Sequence, residues 1–311
     1  VSIDNKSVLS AWRAAVVLAL LSLGAAASVH AEDGVLVLGR ISDDPKSHYA
    51  QLKPLLDYVV PRMADVGIRS GRILMASDVQ QMHSYLRRGR VDWVTETAAT
   101  GMLLAERAPA QLLLIAERNG RSRYSTVIFA RRGSGVVDRA TLRGRAIAFQ
   151  NRASASAYMV PAALLLESDY ALEMLLSPMD QPSADAIGFV FARTERNIVA
   201  WVDKGLVAAG AFSDIDWDEL QRKDGDQAAA LVEIARSQPF PRAVEMVRSG
   251  LSPAVRERLR AVLLHAAQEA EGRAALAGFF GASGFHAADA DELASLHRLR
   301  QRAQRVKAAL E

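Results

Sequence analysis

Ser154 and Ser156 flank Ala155 within the stretch Phe149–Tyr158, FQNRASASAY. An apolar run, RAIAFQ, leads into them, and a helix-like run, AYMVPAALLLE, follows. Small hydroxyls at such a junction suit two jobs. Ser154 stands where a helix N-cap belongs, and capping the next turn is worth about 1 kcal/mol. The same helix start leaves amides unpaired and partially positive. Ser154, Ser156 and the amides of Ala155–Ala157 would therefore also surround a tetrahedral oxyanion, with no lysine required. Pro161 follows in the same run, so the helix is expected to kink or restart there.

Glu96 and Thr97 close the run WVTET at 93–97 and form a second candidate. Glu96 either accepts from the amides of the next helix or meets a ligand. In the second role it repels a fully ionised phosphate and favours a protonated or zwitterionic ligand. Arg193 and Glu195, in ARTERN, begin another helix, where they pair with each other, face a cleft or stand in solvent. The six histidines show no zinc spacing, and the chain has no cysteine, so neither a metal nor any other cofactor is expected. Neither the G-x-x-x-x-G-K-S/T phosphate loop nor the G-x-S-x-G nucleophile turn occurs.

The elements that position these residues alternate. Apolar runs at 35–41, 72–76 and 91–95 read as strands, separated by helical patterns at 47–63, 78–88 and 98–107. Two extended runs follow at 111–117 and 125–132. A second alternating set has strands at 145–150, 187–192 and 206–212, with helices near 155–168, 195–204 and 214–221. Extended pieces at 230–237 and 242–249 flank QPFP, and the chain ends in helices at 253–271 and 288–309, joined by GFFGASGF at 278–285. This order predicts an α/β fold of two lobes, each a mostly parallel sheet wrapped by helices, joined by two extended crossings. The expected boundaries are 32–122 plus 238–311 for lobe 1 and 123–237 for lobe 2, with the C-terminal helices returning to lobe 1. A cleft between lobes, near the carboxyl ends of the strands, is the expected binding place.

With 311 residues and 50% apolar content the chain can bury a large core, and 23% charged residues is an ordinary value. The net charge of +3 is spread along the chain with no arginine-rich arm, which argues against nucleic acid as a partner. Lys6 and Arg13 precede the apolar run Ala14–Ala27, and small residues at Val29 and Ala31 suit cleavage after Ala31. Residues 1–31 are thus expected to be a signal peptide, too short in its apolar part to span a bilayer, and the mature protein to be periplasmic.

The stretch YSTVIFARRGSGVVDRATLRGRAIAFQNRASASAYMVPAALL resembles the periplasmic phosphate/phosphite/phosphonate-binding proteins of ABC transporters. The matching residues are Tyr124, Ser125, Ser134, Leu142, Gly144, Phe149, Ser154, Ser156 and Pro161. LGRISDDPKSHYAQLKPLLDYV, LRRGRVDWV and EGRAALAGFFGASGF extend the likeness over most of the chain. The resemblance implies a type II periplasmic-binding-protein fold that closes on a small anion. It would set Ser154, Ala155 and Ser156 on a phosphoryl-like group, with Tyr124 beside the ligand and Tyr49 reaching in from lobe 1. Departures from the family pattern are Ala157 for a glycine, Ala155 for a hydroxyl residue, Glu195 for a histidine and Ala208 for an acid. They argue against 2-aminoethylphosphonate.

The leading functional expectation is a monomeric solute-binding protein that delivers a small oxyanion or organophosphorus ligand to an inner-membrane ABC permease. A ligand sensor acting on a membrane histidine kinase uses the same closure. A secreted serine hydrolase built on Ser154 or Ser156 needs a base nearby, and residues 125–235 contain no histidine.

Overall fold

The computed structural model describes residues 34–107 and 110–310, so the export segment expected over 1–31 lies outside the described residues. Apolar runs become buried strands. β1 (Val35–Ile41) pairs in parallel with β2 (Ser70–Ala76) and β3 (Trp93–Thr97). Between them, α1 (Pro45–Val59) starts at an Asp44 cap whose carboxylate accepts from the Ser47 amide, and it buries Leu52, Leu55, Leu56, Tyr58 and Val59. The single helix expected over 47–63 is two pieces. α1 carries Pro54 in its interior, and at Pro61, which lacks an amide for the ladder, the chain tightens into a 3-10 segment at Val60–Val66, ended by Gly67 at φ +86°. α2 (Val79–Arg87) and α3 (Ala98–Arg107) follow β2 and β3.

β4 (Ala110–Arg118), β13 (Ala243–Arg248) and β14 (Ala282–His286) complete the first sheet, in the order β14-β4-β13-β3-β1-β2. β14 corrects the reading of 278–285 as a mere joint: its second half is an edge strand antiparallel to β4. Glycine-rich composition hid it, since glycine weakens strand patterning.

The second sheet runs β11-β6-β10-β7-β9-β8. Its strands are β6 (Thr126–Arg131), β7 (Ala146–Phe149), β8 (Ala171–Met174), β9 (Ala186–Phe191), β10 (Ala209–Ser213) and β11 (Leu231–Arg236). β8 is a short, half-exposed edge strand that no apolar run announced. A wide π-type turn at Ala155–Met159 leads into α4 (Val160–Leu166), with Pro161 in its first turn, where proline is tolerated. α5 (Glu195–Asp203), α6 (Asp214–Lys223) and α7 (Gly225–Ala229) cover the rest.

Two crossings join the sheets. β5 (Arg123–Tyr124) lies between β4 and β6, β12 (Phe240–Pro241) lies between β11 and β13, and the two pair as a short antiparallel ribbon. After β13 come α8 (Pro253–His265), α9 (Ala270–Gly278) and finally α10 (Ala290–Leu310). α10 does not return to the first sheet alone. Leu296, Leu299, Ala303 and Val306 share one buried cluster with Leu103 and Leu104 of α3 and with Ala162 and Leu165 of α4. Arg302 pairs with Glu167 beyond α4, and Arg305 donates to the Leu166 carbonyl. Two arginines of α10 thus anchor it to the end of α4, which packs against the second sheet.

Candidate functional site

Strand directions bring chemistry to one end of the first sheet. β1, β3 and β4 point the same way and β13 runs against β3 and β4, so residues 40–41, 96–97, 118 and 242–243 gather there. Three of them are arginines. Arg40 is the penultimate residue of β1, Arg118 ends β4, and Arg242 precedes β13. The guanidinium carbons of Arg40 and Arg118 lie 4.5 and 4.8 Å from the Phe280 ring centroid, and that of Arg242 lies 5.8 Å from the Tyr124 ring. Arg40 Nη1 donates to the Thr95 carbonyl at 3.2 Å. Nε of Arg40, Nε of Arg118 and Nη1 of Arg242 are shut off from water and meet no acceptor among the described residues. Buried polar hydrogens in folded proteins are almost always paired, so three such groups at one strand end mark a place built for an acceptor. Burial, then the neighbouring charges of Arg40 and Arg242, pull Arg118 down to about 9.

Two carboxylates lie among these cations. Glu245, fully buried in β13, accepts from Trp93 Nε1 at 2.6 Å and Thr95 Oγ1 at 2.9 Å. Burial pushes it up to about 7, although those hydrogen bonds and the charges of Arg118 and Arg40 pull the other way. Glu96, 1% exposed, accepts from the Ile41 amide at 2.6 Å and the Thr97 amide at 3.3 Å. Its acidity is also weakened by burial, against the opposing charge of Arg40. Glu96 thus ties the ends of β1 and β3 together, and its second contact, from the Thr97 amide, stays within β3. Thr97 Oγ1 in turn accepts weakly from the Thr100 amide at 3.4 Å.

The second sheet offers the facing end. Ser154 caps the π-type turn, its Oγ accepting from the Ala157 amide at 3.1 Å, and Ala155, Ser156 and Ala157 are buried. Burial weakens the acidity of the Tyr124 phenol, with the nearby Ser156 hydroxyl acting against it, and the Ser156 carbonyl accepts from Thr126 Oγ1 at 2.9 Å. Ser125 enters through its backbone, its amide donating to Asp214 Oδ1 at 3.0 Å. Glu195 does not pair with Arg193; it accepts from Gln150 Nε2 at 2.6 Å. Burial, then the charge of Asp216, push Glu195 up, and burial pushes Asp216 up as well, while Arg242 opposes it. The two ends touch where Thr97 Oγ1 and Thr100 Oγ1 donate to the Ala153 carbonyl at 3.4 and 3.2 Å.

The sequence candidates Glu96, Thr97, Tyr124, Ser156 and the turn at 153–157 therefore come together. Tyr49 lies on the first turns of α1, 49% exposed, next to His48, whose ring centroid is 5.7 Å from that of Phe280. The arginines were missed although each carried a signal: a lone guanidinium ends an apolar strand in VLVLGRI and QLLLIAER, and another follows QPFP. Among the described residues no group of three or more His, Cys, Asp or Glu side chains could hold a metal ion. A surface pocket of about 640 Å³ opens at the other end of the second sheet, beside Gly144–Ala146 and Arg131–Gly133, and contains none of these groups. The arrangement can pair an anion with guanidinium N–H groups from one sheet and a phenol–hydroxyl pair from the other.

Comparison with known proteins shows the family. XAC2383 from Xanthomonas citri bound to chloride ion is 48% identical, with 88% of this chain and 99% of that chain covered and a TM-score of 0.84. The same protein bound to ATP matches at 46% identity over 89% of this chain and 100% of that one, with a TM-score of 0.85. PhnD1 from Prochlorococcus marinus in complex with methylphosphonate shares the fold at a TM-score of 0.62 and 14% identity, with 88% of this chain and 98% of that chain covered. The model of the family described as "ABC transporter, phosphonate, periplasmic substrate-binding protein" matches residues 39–293. The chain, a two-sheet α/β protein with these groups at the facing strand ends, belongs to that family of periplasmic substrate-binding proteins.

Proposed function

We propose that the protein captures a solute bearing a phosphate-like oxyanion between Arg40, Arg118 and Arg242 on one side and Tyr124, Ser156 and the 154–157 turn on the other. It then hands the solute to an ABC permease of the inner membrane. The observation that carries this reading is the trio of shielded guanidinium nitrogens without an acceptor. An oxyanion supplies several acceptors at once and neutralises a cluster of like charges that is otherwise costly to bury. The β5–β12 ribbon is the natural hinge, and lobe closure over 32–122 plus 238–311 against 123–237 would exclude water and strengthen each contact. Family membership favours a phosphonate, phosphite or phosphate, and the ATP held by the Xanthomonas relative adds nucleotides to the candidates.

Titration calorimetry of the chain from residue 32 with phosphate, phosphite, methylphosphonate and ATP tests this. At least one should bind saturably, and Arg118→Ala should weaken it by about 1.5–3 kcal/mol, roughly ten- to a hundredfold. Heat from none of the four, or binding that Arg118→Ala leaves intact, would remove the reading.

A further inference from the structure

Phe280 lies where the chain passes from α9 to β14. Its backbone is left-handed, φ +52°, and Gly281 follows at +65°. Residues with a Cβ avoid this region, and glycine or asparagine adopts it far more readily. The loop is clipped to the end of β4, since the Asn119 amide donates to the Gly281 carbonyl at 3.2 Å and the Gly120 amide to Ser283 Oγ at 3.0 Å. The ring packs edge-on against Phe279 at 5.3 Å and so touches the apolar core, and its other neighbours are polar: the guanidinium groups of Arg40 and Arg118 at 4.5 and 4.8 Å, and the ring of His48 at 5.7 Å.

We infer that Phe280 is the positioning residue of the anion site, holding Arg40 and Arg118 in place without occupying the N–H groups that the ligand needs. This rests on the capture reading above. A carboxylate would fix a guanidinium by accepting its hydrogen bonds and cancelling its charge. An aromatic face attracts the cation through its quadrupole and accepts no conventional hydrogen bond, so charge and donors stay available. The molecule contains the contrasting case. Arg62 stacks over Tyr58 at 3.8 Å but also donates to Glu269 and Glu271, which occupies its donors in a structural link. Against Phe280, the shielded Nε atoms of Arg40 and Arg118 keep no such partner. A ring held in a disfavoured backbone conformation beneath two like charges is what such a role requires, and strained positions of this kind cluster at ligand sites.

The test uses Phe280→Asn, which suits the left-handed turn but removes the ring, and Phe280→Tyr, which keeps it. Two readouts are needed: affinity for ATP and methylphosphonate by calorimetry, and the rate of phenylglyoxal modification of individual arginines in ligand-free protein by peptide mass spectrometry. Phe280→Asn should lose some melting temperature with its packing on Phe279, and while folded should bind the anion roughly tenfold or more weakly, with Arg40 and Arg118 reacting several-fold faster and Arg62 unchanged. Phe280→Tyr should match wild type in both readouts. Unchanged affinity and unchanged modification in Phe280→Asn would overturn the inference and leave the capture reading standing. A wild-type protein that binds neither of these probes nor phosphate nor phosphite would sink the anion site and this role together, whatever the modification rates.

Discussion

Replacing Glu245 by glutamine should flatten a pH dependence that the wild-type protein carries. The side chain is fully buried and accepts two hydrogen bonds, from the Trp93 indole and the Thr95 hydroxyl. Glutamine keeps both contacts: its oxygen accepts from the indole, and its amide nitrogen donates to Thr95 Oγ1, which has lone pairs free. The variant therefore removes a titration and little else. Burial raises the carboxyl from 4.5 to about 7 in the folded protein. At low pH both folded and unfolded chains hold the proton, and the contribution is fully present. As pH rises above the ordinary carboxylate range the unfolded chain ionises first, so stability falls by about 1.4 kcal/mol per pH unit until the folded form also ionises. Over the interval from 4.5 to about 7 this amounts to roughly 3 kcal/mol. Urea denaturation between pH 4 and 8 should show wild type losing stability relative to Glu245→Gln by that order. Above pH 7 the two curves should run parallel. Binding should follow the same proton. An anion among Arg40, Arg118 and Arg242 favours neutral Glu245, so wild-type affinity should fall relative to the variant as pH rises through that range. The difference between proteins cancels the ligand's own ionisation. Parallel stability curves from pH 4 upward would refute the placement of an ionisable group in this site.

Four further outcomes follow from particular contacts. Arg248→Ala strands the buried Asp92, which accepts from Arg248 Nε at 2.7 Å and the Val37 amide at 2.9 Å; chemical denaturation should show a loss of about 3–5 kcal/mol with anion affinity retained in folded protein. Ser154→Ala removes the oxygen that accepts from the Ala157 amide and should cost about 1 kcal/mol in thermal or urea unfolding. In Gly101→Ala the new Cβ would fall against the Val244 side chain behind α3, and overpacking there should destabilise by about 1–3 kcal/mol in the same assay. Arg302→Ala breaks a partly exposed ion pair to Glu167 and should change stability by less than about 1 kcal/mol. It loosens α10 from the second-sheet side, so stopped-flow release of a bound anion should be faster than in wild type.

Much of this architecture was legible because strand and helix periods alternate cleanly. VLVLGRI, WVTET and the Ser154 cap behaved as local physics requires: buried strands and a capped turn. Besides the half-exposed edge strand β8, three features were not legible, each for a physical reason. β14, ASGFH, sits at a sheet edge, is short and holds a single large apolar residue, Phe285, so it lacks an apolar signature. α10 bridges the two sheets through Leu296, Leu299, Ala303 and Val306, and its helical spacing shows that it packs but not what it packs against. The site's cations come from three separate strand ends, and only the directions of β1, β4 and β13 bring Arg40, Arg118 and Arg242 together. The serine turn was conspicuous because its residues are neighbours in sequence. Its Ser154 oxygen is engaged in capping, and the charge needed to hold an anion lies on the opposite sheet.

A crystal structure of the protein grown with selenate, with the selenium located by its anomalous scattering, addresses the anion site most directly. The predicted result is one strong peak in hydrogen-bond contact with at least two of Arg40, Arg118 and Arg242 and on the side of Tyr124. Selenium confined to the surface pocket at the far end of the second sheet, or absent from the arginine trio at saturating selenate, would contradict the account.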